Sequence, residues 1–387
     1  MTPEWDVVEF RGIHGLEQLE ADWRRLLAAI PDHTPHQTYE AHHAFFAHVS
    51  RADGRFICLA LTDGQCVRAI CPLEQNTIRI LGVQTRVLGL PWRLWDIGHD
   101  VICPSGEAEH RLLPAVIRFL RRAPDRPKWL VFGAVLDDSA LRRCLRALDA
   151  RAYVTDVMGA SDVLDCTMPF EVSVARLSRT FRRNFRNAHK KLAALSGVQF
   201  ASTSDRAGLE REFEGFLDVE ASGWKGDATV RGAIRLRPDL LAFYREIVAG
   251  LGDSNRLEIN ALFAGGRRIA SQLCFRSGAT YTVLKIAYDE NYARVAPGQL
   301  LLERTLERCC RDPQISRLSL VTDASWHRDW RPEGIPVRSV YVGLGPWTGR
   351  LLVRLLRLRF EYGPVAKRWL RPFRALPSRL RSGVEPK

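Results

Sequence analysis

The sequence predicts an α/β (α+β) chain with one unit built twice in tandem, each copy a mixed, mostly antiparallel sheet flanked by helices, and a basic helical tail behind them. Three observations carry this. Between Arg256 and Cys310, three strand-like runs feed a basic turn and then a helix. A fainter copy of that succession lies in the first half. From Pro346 onward, eleven Lys/Arg stand against two acids, a net +9 of the chain's +13. The domains this implies are 1–165, 166–345 and the tail 346–387.

Trp5 to Phe10 alternates as a strand, and Leu16, Leu19, Trp23, Leu26 and Leu27 mark one amphipathic helix. His36 to Ser50 reads as a second helix. Its His36, His42, His43 and His48 are unaccompanied by the acidic or cysteine ligands of a metal cluster, so they read as surface and half-buried histidines. Phe56 to Leu73 is a hairpin about Asp63-Gly64. Pro104-Ser-Gly106, a helix from Glu107 to Arg122 and a strand from Trp129 to Val135 follow, and Leu141 to Tyr153 completes the copy. Ala60-Leu61, Gly64 and Ala69 recur at one offset as Ala261-Leu262, Gly265 and Ala270. Both halves then continue through a Pro- and Gly-containing turn, a helix and a strand, so duplication explains the length.

Past Pro169, a helix places Leu177, Phe181, Phe185, Ala188 and Leu192 on one stripe and Arg179, Arg182, Arg183, Arg186 and Lys190 on the others. Either this is a packed helix with a solvated basic face, or it binds an anion: an acidic acceptor, a lipid diphosphate or RNA. Asp205 to Gly223 is a further helix. It runs into Glu220-Ala-Ser-Gly-Trp-Lys-Gly226, where Trp224 either plugs a junction or walls a cleft, with Lys225 over an acceptor anion. Pro238 to Leu251 is helical.

Leu257, Ile259, Ala261 and Phe263 alternate as a strand, and Gly265-Gly266 supplies a tight turn. Ile269 to Phe275 and Tyr281 to Tyr288 are the next strands. Pro297 suits a helix start because it has no amide hydrogen to leave unpaired. A basic, glycine-containing turn there offers backbone amides to a phosphate. The first copy lacks an arginine at the place of Arg294 and carries Asp96 and Asp100 before its turn, which would repel pyrophosphate. It reads as a non-catalytic wall of the acceptor cleft. Behind the strand Leu318 to Thr322, Asp323 and His327 bring an acid and an imidazole together on a loop at a strand end. They are either catalytic, or a capping aspartate and a surface histidine.

This order of strands, turn and helix resembles the GNAT acyltransferases. Glu220-Ala-Ser-Gly-Trp-Lys-Gly226, Lys285-Ile-Ala-Tyr-Asp-Glu290 with Ala296-Pro-Gly298, and Asp323-Ala-Ser-Trp-His-Arg-Asp-Trp330 are similar to the CelD-type, FemAB-related branch of that family. The likeness runs from the first strand to Gly343 and is densest from Phe170. It implies paired GNAT-like domains and transfer of an acyl group from acetyl-CoA or another acyl-CoA, as co-substrate, to an amine or hydroxyl. It further implies a donor held by Leu284, Lys285, Ile286, Arg294, Pro297, Gly298 and Gln299. Candidates for the base are Glu220, Asp323 and His327, with Tyr288 as the acid towards the departing thiolate. Arg183, Trp224 and Lys225 are the acceptor contacts. The acceptor would be a small molecule, or a saccharide or lipid-linked precursor of exopolysaccharide or cell envelope. Two rivals of other classes stand beside it: a FemAB-like aminoacyl transferase using charged tRNA, and a catalytically silent binding scaffold.

Composition narrows the setting. Hydrophobic residues make up 46% of the chain, and no apolar run reaches the roughly 18 residues that span a bilayer. The start, MTPEWDVVEF, lacks an apolar signal region, which predicts a cytoplasmic protein. Nine cysteines without a CxxC pair read as scattered thiols, and no Cys/His spacing suggests a metal. The excess charge sits in the tail and in Phe170 to Leu195, with seven Lys/Arg and one acid, so no DNA partner is expected. In the tail, Leu351, Leu352, Leu355, Leu356 and Leu358 form an apolar face opposite Arg350, Arg354 and Arg357, with Trp347, Phe360, Tyr362 and Trp369 among them. Such a helix reads as lying on an anionic membrane, on its inner face. Docking onto the protein's own body and contact with RNA are its rivals.

Overall fold

Gly265 and Gly266 take φ of +58° and +74°, the mirror-image turn that a two-residue hairpin requires. Hairpins of this kind build most of one sheet. A computed structural model describes residues 5–50, 56–91, 97–122, 127–226, 232–345 and 347–370, with only the backbone for Trp224, Asp253 and residues 362–370. The first half runs β1 (Asp6–Arg11), α1 (Gly12–Gln18), α2 (Glu20–Ala28), α3 (Tyr39–His48), β2 (Phe56–Thr62), β3 (Val67–Ile80), β4 (Val83–Gly89), α4 (Glu107–Arg122), β5 (Trp129–Leu136), α5 (Ala140–Cys144) and β6 (Tyr153–Asp165). The second runs α6 (Phe170–Ala175), α7 (Arg179–Ala193), β7 (Gln199–Thr203), α8 (Arg206–Ser222), α9 (Pro238–Leu251), β8 (Leu257–Ala264), β9 (Arg267–Ser277), β10 (Thr280–Tyr288), α10 (Pro297–Arg311), β11 (Arg317–Ser319) and β12 (Glu333–Gly343). Helix α11 (Thr348–Leu370) closes the described chain.

All twelve strands join one sheet in the order β1-β2-β3-β4-β5-β12-β6-β11-β10-β9-β8-β7. The duplication is visible in that order, since β1 to β5 and β7 to β11 are laid out alike about the centre. The recurring residues fall on matched positions: Leu61 pairs with Ala69 and Leu262 pairs with Ala270. At the centre the halves exchange strands. The strand that follows β5 in the chain, β6, pairs with β11, whereas the strand that follows β11, β12, pairs with β5. β6 and β12 then pair with each other along ten positions.

Helices cover both faces. Leu112, Leu113, Val116 and Leu120 of α4 pack on the first half of the sheet. Phe181, Phe185 and Leu192 of α7 and Leu301, Leu302 and Leu306 of α10 cover one face of the second half, and α8, α9 and α3 cover the other. Phe213, Phe216, Phe243 and Phe275 are among the largest fully buried side chains, and truncating such a ring costs about 3–5 kcal/mol. No described helix is long and apolar enough to cross a membrane.

Several local expectations shift. The helix expected from Leu16 to Leu27 breaks at Leu19 into α1 and α2, although both keep their apolar residues inside. His36 precedes α3 in a 3-10 turn, Pro35–Gln37. His43 Nδ1 and His48 Nε2 share one carboxylate, Glu246 of α9, at 2.5 and 2.6 Å, so these histidines tie the first half to the second. The loop from Ala29 to Gln37 does the same. Asp32 Oδ1 accepts from the Ala279 amide at 2.9 Å, and Ser277 Oγ donates to the Pro31 carbonyl at 2.8 Å. Gly278 is needed there: its φ is +53°, and a Cβ would fall 2.6 Å from the Pro31 oxygen.

Candidate active site

β10 and β11 run parallel, but only Thr280 to Thr282 and Arg317 to Ser319 pair. β10 continues to Tyr288 while β11 stops, because Val321 turns the chain away at φ +66°. The Thr322 amide donates to the Leu320 carbonyl at 2.7 Å across that residue. A β-branched side chain in this region is strained, and such strain collects at functional sites. The result is a notch between the two strands, a cavity of about 230 Å³ lined by Val283 to Ile286 of β10, by Leu320 to Thr322, and by Trp326 and His327 of the loop beyond. His36, Lys225 and Tyr244 close it from the sides. Through His36, Leu284 and Val321 it adjoins a second cavity of about 310 Å³ between the two halves.

His327 is buried, with its ring edge-on to Trp326 at 4.1 Å between centroids. Its Nδ1 lies 2.9 Å from Asp162 Oδ2 and 3.1 Å from the Thr322 carbonyl. Two acceptors facing one ring nitrogen assign the proton to Nδ1 and leave the Nε2 lone pair as a base. The other carboxylates proposed from sequence stand elsewhere. Asp323 is exposed and points at β6, its Oδ2 3.3 Å from the Ala160 amide. Glu220 is only 4% exposed. One of its oxygens accepts from the Ile234 amide at 2.9 Å, and the other lies 3.5 Å from Lys225 Nζ. It therefore positions Lys225. The side chain of Trp224 lies outside the described residues.

At the start of α10, Ala296 holds φ +53° as N-cap. The amides of Gln299 and Leu300 both donate to its carbonyl, at 3.0 and 3.1 Å. Pro297 has no amide hydrogen, which leaves the amide of Gly298, itself a buried residue, as the remaining donor of the first turn. The turn thus offers fewer free amides than its sequence suggested. Gln299 Oε1 is occupied by the Trp330 indole at 2.7 Å, and Trp330 in turn sits between Phe181 and Phe185. Arg294 is exposed, and Lys191 of α7 donates to its carbonyl at 3.1 Å, so two cations flank the helix start. Tyr288 is 43% exposed beside this turn, its ring 3.5 Å from where a Cβ on Gly298 would lie. Arg183 is exposed on α7. Among the described residues no carboxylate forms an ion pair with any Lys or Arg of that helix.

The structure therefore brings Leu284, Lys285, Ile286, His327 and Lys225 to one notch. It gathers Arg294, Pro297, Gly298, Gln299 and Tyr288 at the adjoining helix start. Sequence reasoning missed Asp162, whose one signal was an acid next to the apolar pair Val163-Leu164. It also missed His36, one of the histidines that read as surface and half-buried on a helix. Burial holds the His36 imidazole well below its ordinary range, as do the neighbouring His99, His42 and Lys285.

The acetyltransferase (GNAT) domain family matches residues 179–330, the span that holds the α10 turn and all of the notch lining but His36. That span is similar to a GNAT-type acetyltransferase domain. FemX is similar in structure, with a TM-score of 0.54 at 10% identity over 83% of this chain and 96% of its own. The C-terminal domain of a putative lysylphosphatidylglycerol synthetase from Agrobacterium fabrum gives 0.52 at 12%, covering 88% and 96%. A protein of unknown function from Bacteroides thetaiotaomicron gives 0.52 at 12%, covering 84% and 97%. At these identities the likeness is one of fold, a GNAT domain within a FemX-like two-unit sheet. No curated protein matches the sequence.

Proposed function

We propose that this GNAT domain is an acyl-CoA-dependent acyltransferase, with acetyl-CoA as the simplest donor. The observation that carries the reading is the notch, open between β10 and β11 beside the α10 start, with a buried imidazole held by Asp162 inside it. The donor's pyrophosphate meets Arg294 and the Gly298 amide, aided by the positive helix end. Its amide-bearing arm runs along the backbone of Leu284 to Ile286, which β11 has left unpaired. The acceptor enters through the cleft between the halves. Its amine or hydroxyl attacks the thioester carbon, His327 Nε2 takes the proton, the C–S bond breaks, and the imidazolium returns the proton to the leaving thiolate. Tyr288, against Gly298 at the pyrophosphate turn, is too far away to be that acid. The acceptor is a saccharide, a lipid-linked precursor or a small molecule of envelope or exopolysaccharide synthesis. A thermal-shift titration with coenzyme A and a panel of acyl-CoAs tests this. Absence of a shift with every member sinks the donor assignment.

The unpaired cations of α7 favour a second reading, an aminoacyl-tRNA donor. That reading requires RNA binding whose affinity falls steeply with salt.

Peripheral membrane contact belongs to the first reading. On α11, Val353 and Leu356 pack on the sheet at 1% and 3% exposure, while Leu351 and Leu355 face outward at 59% and 43% with Arg350 and Arg354 between them. The helix thus docks on the protein by one apolar stripe and presents a second, flanked by cations, to an anionic surface.

A further inference from the structure

Tyr281 and Val283 of β10 point into the core beneath α7 and α10, and Thr280, Thr282 and Leu284 face the cleft between the halves. An uninterrupted pleat would send Lys285 into that core after Val283. It does not, because the register slips between Val283 and Lys285, which oppose Cys274 and Leu273. The one-residue bulge exchanges the faces for the rest of the strand. Ile286 now packs on the α10 side, and Ala287 joins the core of α8 and α9. Lys285 is thereby delivered into the notch, half-buried, with Nζ 5.9 Å from the centroid of the Tyr244 ring. Among the described residues no carboxylate pairs with it.

A second ammonium reaches the same notch from the turn after α8. Lys225 is aimed by Glu220, and its carbonyl accepts from the Gly232 and Ala233 amides at 3.0 and 2.9 Å. Among the described residues no Asp or Glu lines the notch. The neighbouring cleft differs, since its arginines are already matched: Arg143 by Glu109 at 2.5 Å and Arg317 by Asp138 at 3.1 Å. The donor's pyrophosphate is poorly placed as the counter-charge, for Gly298 lies against Tyr288 and Ile286, whose side chains leave β10 on the face opposite that of Lys285.

Resting on the reading of the notch as the acyl-transfer site, we propose that Lys225 and Lys285 together bind an anionic group of the acceptor, a carboxylate or a phosphate. The half-buried ammonium of Lys285 has no carboxylate among the described residues, which is costly, and Lys225 has Glu220 alone at 3.5 Å. A ligand anion between the two offsets that cost in the bound state. The enzyme would then select acceptors whose amine or hydroxyl lies near such a group and discriminate against neutral analogues.

Thermal shifts of the full chain with sodium phosphate and with sodium malonate, each against chloride at equal ionic strength, test this. Wild type should respond to one or both anions, and which one tells phosphate from carboxylate. Lys285→Met and Lys225→Met should each weaken the response about tenfold. Lys285→Arg, which keeps the charge, should retain it and so controls for folding. No response in wild type, or an equal response in both Met variants, overturns the proposal. Acetyl-CoA is titrated in parallel. Loss of its shift with the anion response kept would overturn the donor reading instead.

Discussion

The two halves present the same succession of strands, turn and helix, and they differ at the two points where a donor would bind. In the first half, β4 and β5 share the single pair Leu88 with Leu130, and their backbones approach closely there: a Cβ on Gly89 would lie 2.0 Å from the Val131 oxygen. In the second half the equivalent strands part after three residues, and the notch opens. Helix α4 begins with Glu107 and Glu109 in its first turn, whereas α10 has no acid there and follows Arg294. An anion is repelled at one helix start and attracted at the other. Asp100, expected to repel pyrophosphate, is instead buried, accepting from the Ala140 and Leu141 amides at 2.7 Å each. Asp96 lies outside the described residues. Duplication thus supplies the scaffold twice, and the change of charge favours an anion at the second helix start over the first.

Replacing the imidazole should expose that asymmetry most strongly. His327→Ala is expected to lower turnover 10²- to 10⁴-fold, the usual worth of a positioned base, with acetyl-CoA affinity unchanged. Asp162→Asn should lower turnover less and distort the pH–rate profile, because Asp162 acts through His327. Wild-type turnover in His327→Ala would place the base elsewhere.

The seam between the halves should respond to acid. Burial pushes His33 and His42 down to about 4, so the folded state refuses protons that the unfolded chain accepts. Their contribution is complete above pH 6.5 and is lost as pH falls towards 4, about 3 kcal/mol each. Asp100, pushed up to about 6 by burial, works in the opposite sense, its own contribution declining as pH rises from about 4 to 6. Urea midpoints at pH 7 and pH 4.5 should therefore fall for wild type and fall less for His42→Gln. Equal losses in both would exclude His42 from the acid response.

Arg294→Ala should weaken acetyl-CoA binding about tenfold, or 1.4 kcal/mol. The wild type gains about 2.7 kcal/mol at a hundredfold excess over its dissociation constant. Neutralising the first copy with Glu107→Gln and Glu109→Gln should create no second site, since Ile97 to Gly106 ahead of α4 carries no cation to match Arg294. Two molecules of coenzyme A per chain by calorimetry would break the comparison.

The smallest effect is expected at α11. Sedimentation with phosphatidylglycerol vesicles should fall severalfold for Leu351→Glu with Leu355→Glu, which remove outward apolar area without touching Val353 or Leu356. Equal pelleting would assign that stripe to something other than lipid.

Sequence alone determined the hairpins about Asp63-Gly64 and Gly265-Gly266, the helices α4, α7, α9 and α10, and the duplication, because turn chemistry and apolar period act within a few residues. It also named His327, Lys225, Arg294 and Gly298. Only the tertiary structure decided how they combine. Asp162 stands behind His327 because β6 of one half pairs beside β11 of the other. His36 enters the notch because its loop is strapped to Ser277 and Ala279. Lys285 faces the cavity because β10 slips by one residue against β9, and α11 keeps one leucine stripe inside and leaves another out. Each depends on register or packing between segments that the pattern of either segment does not encode.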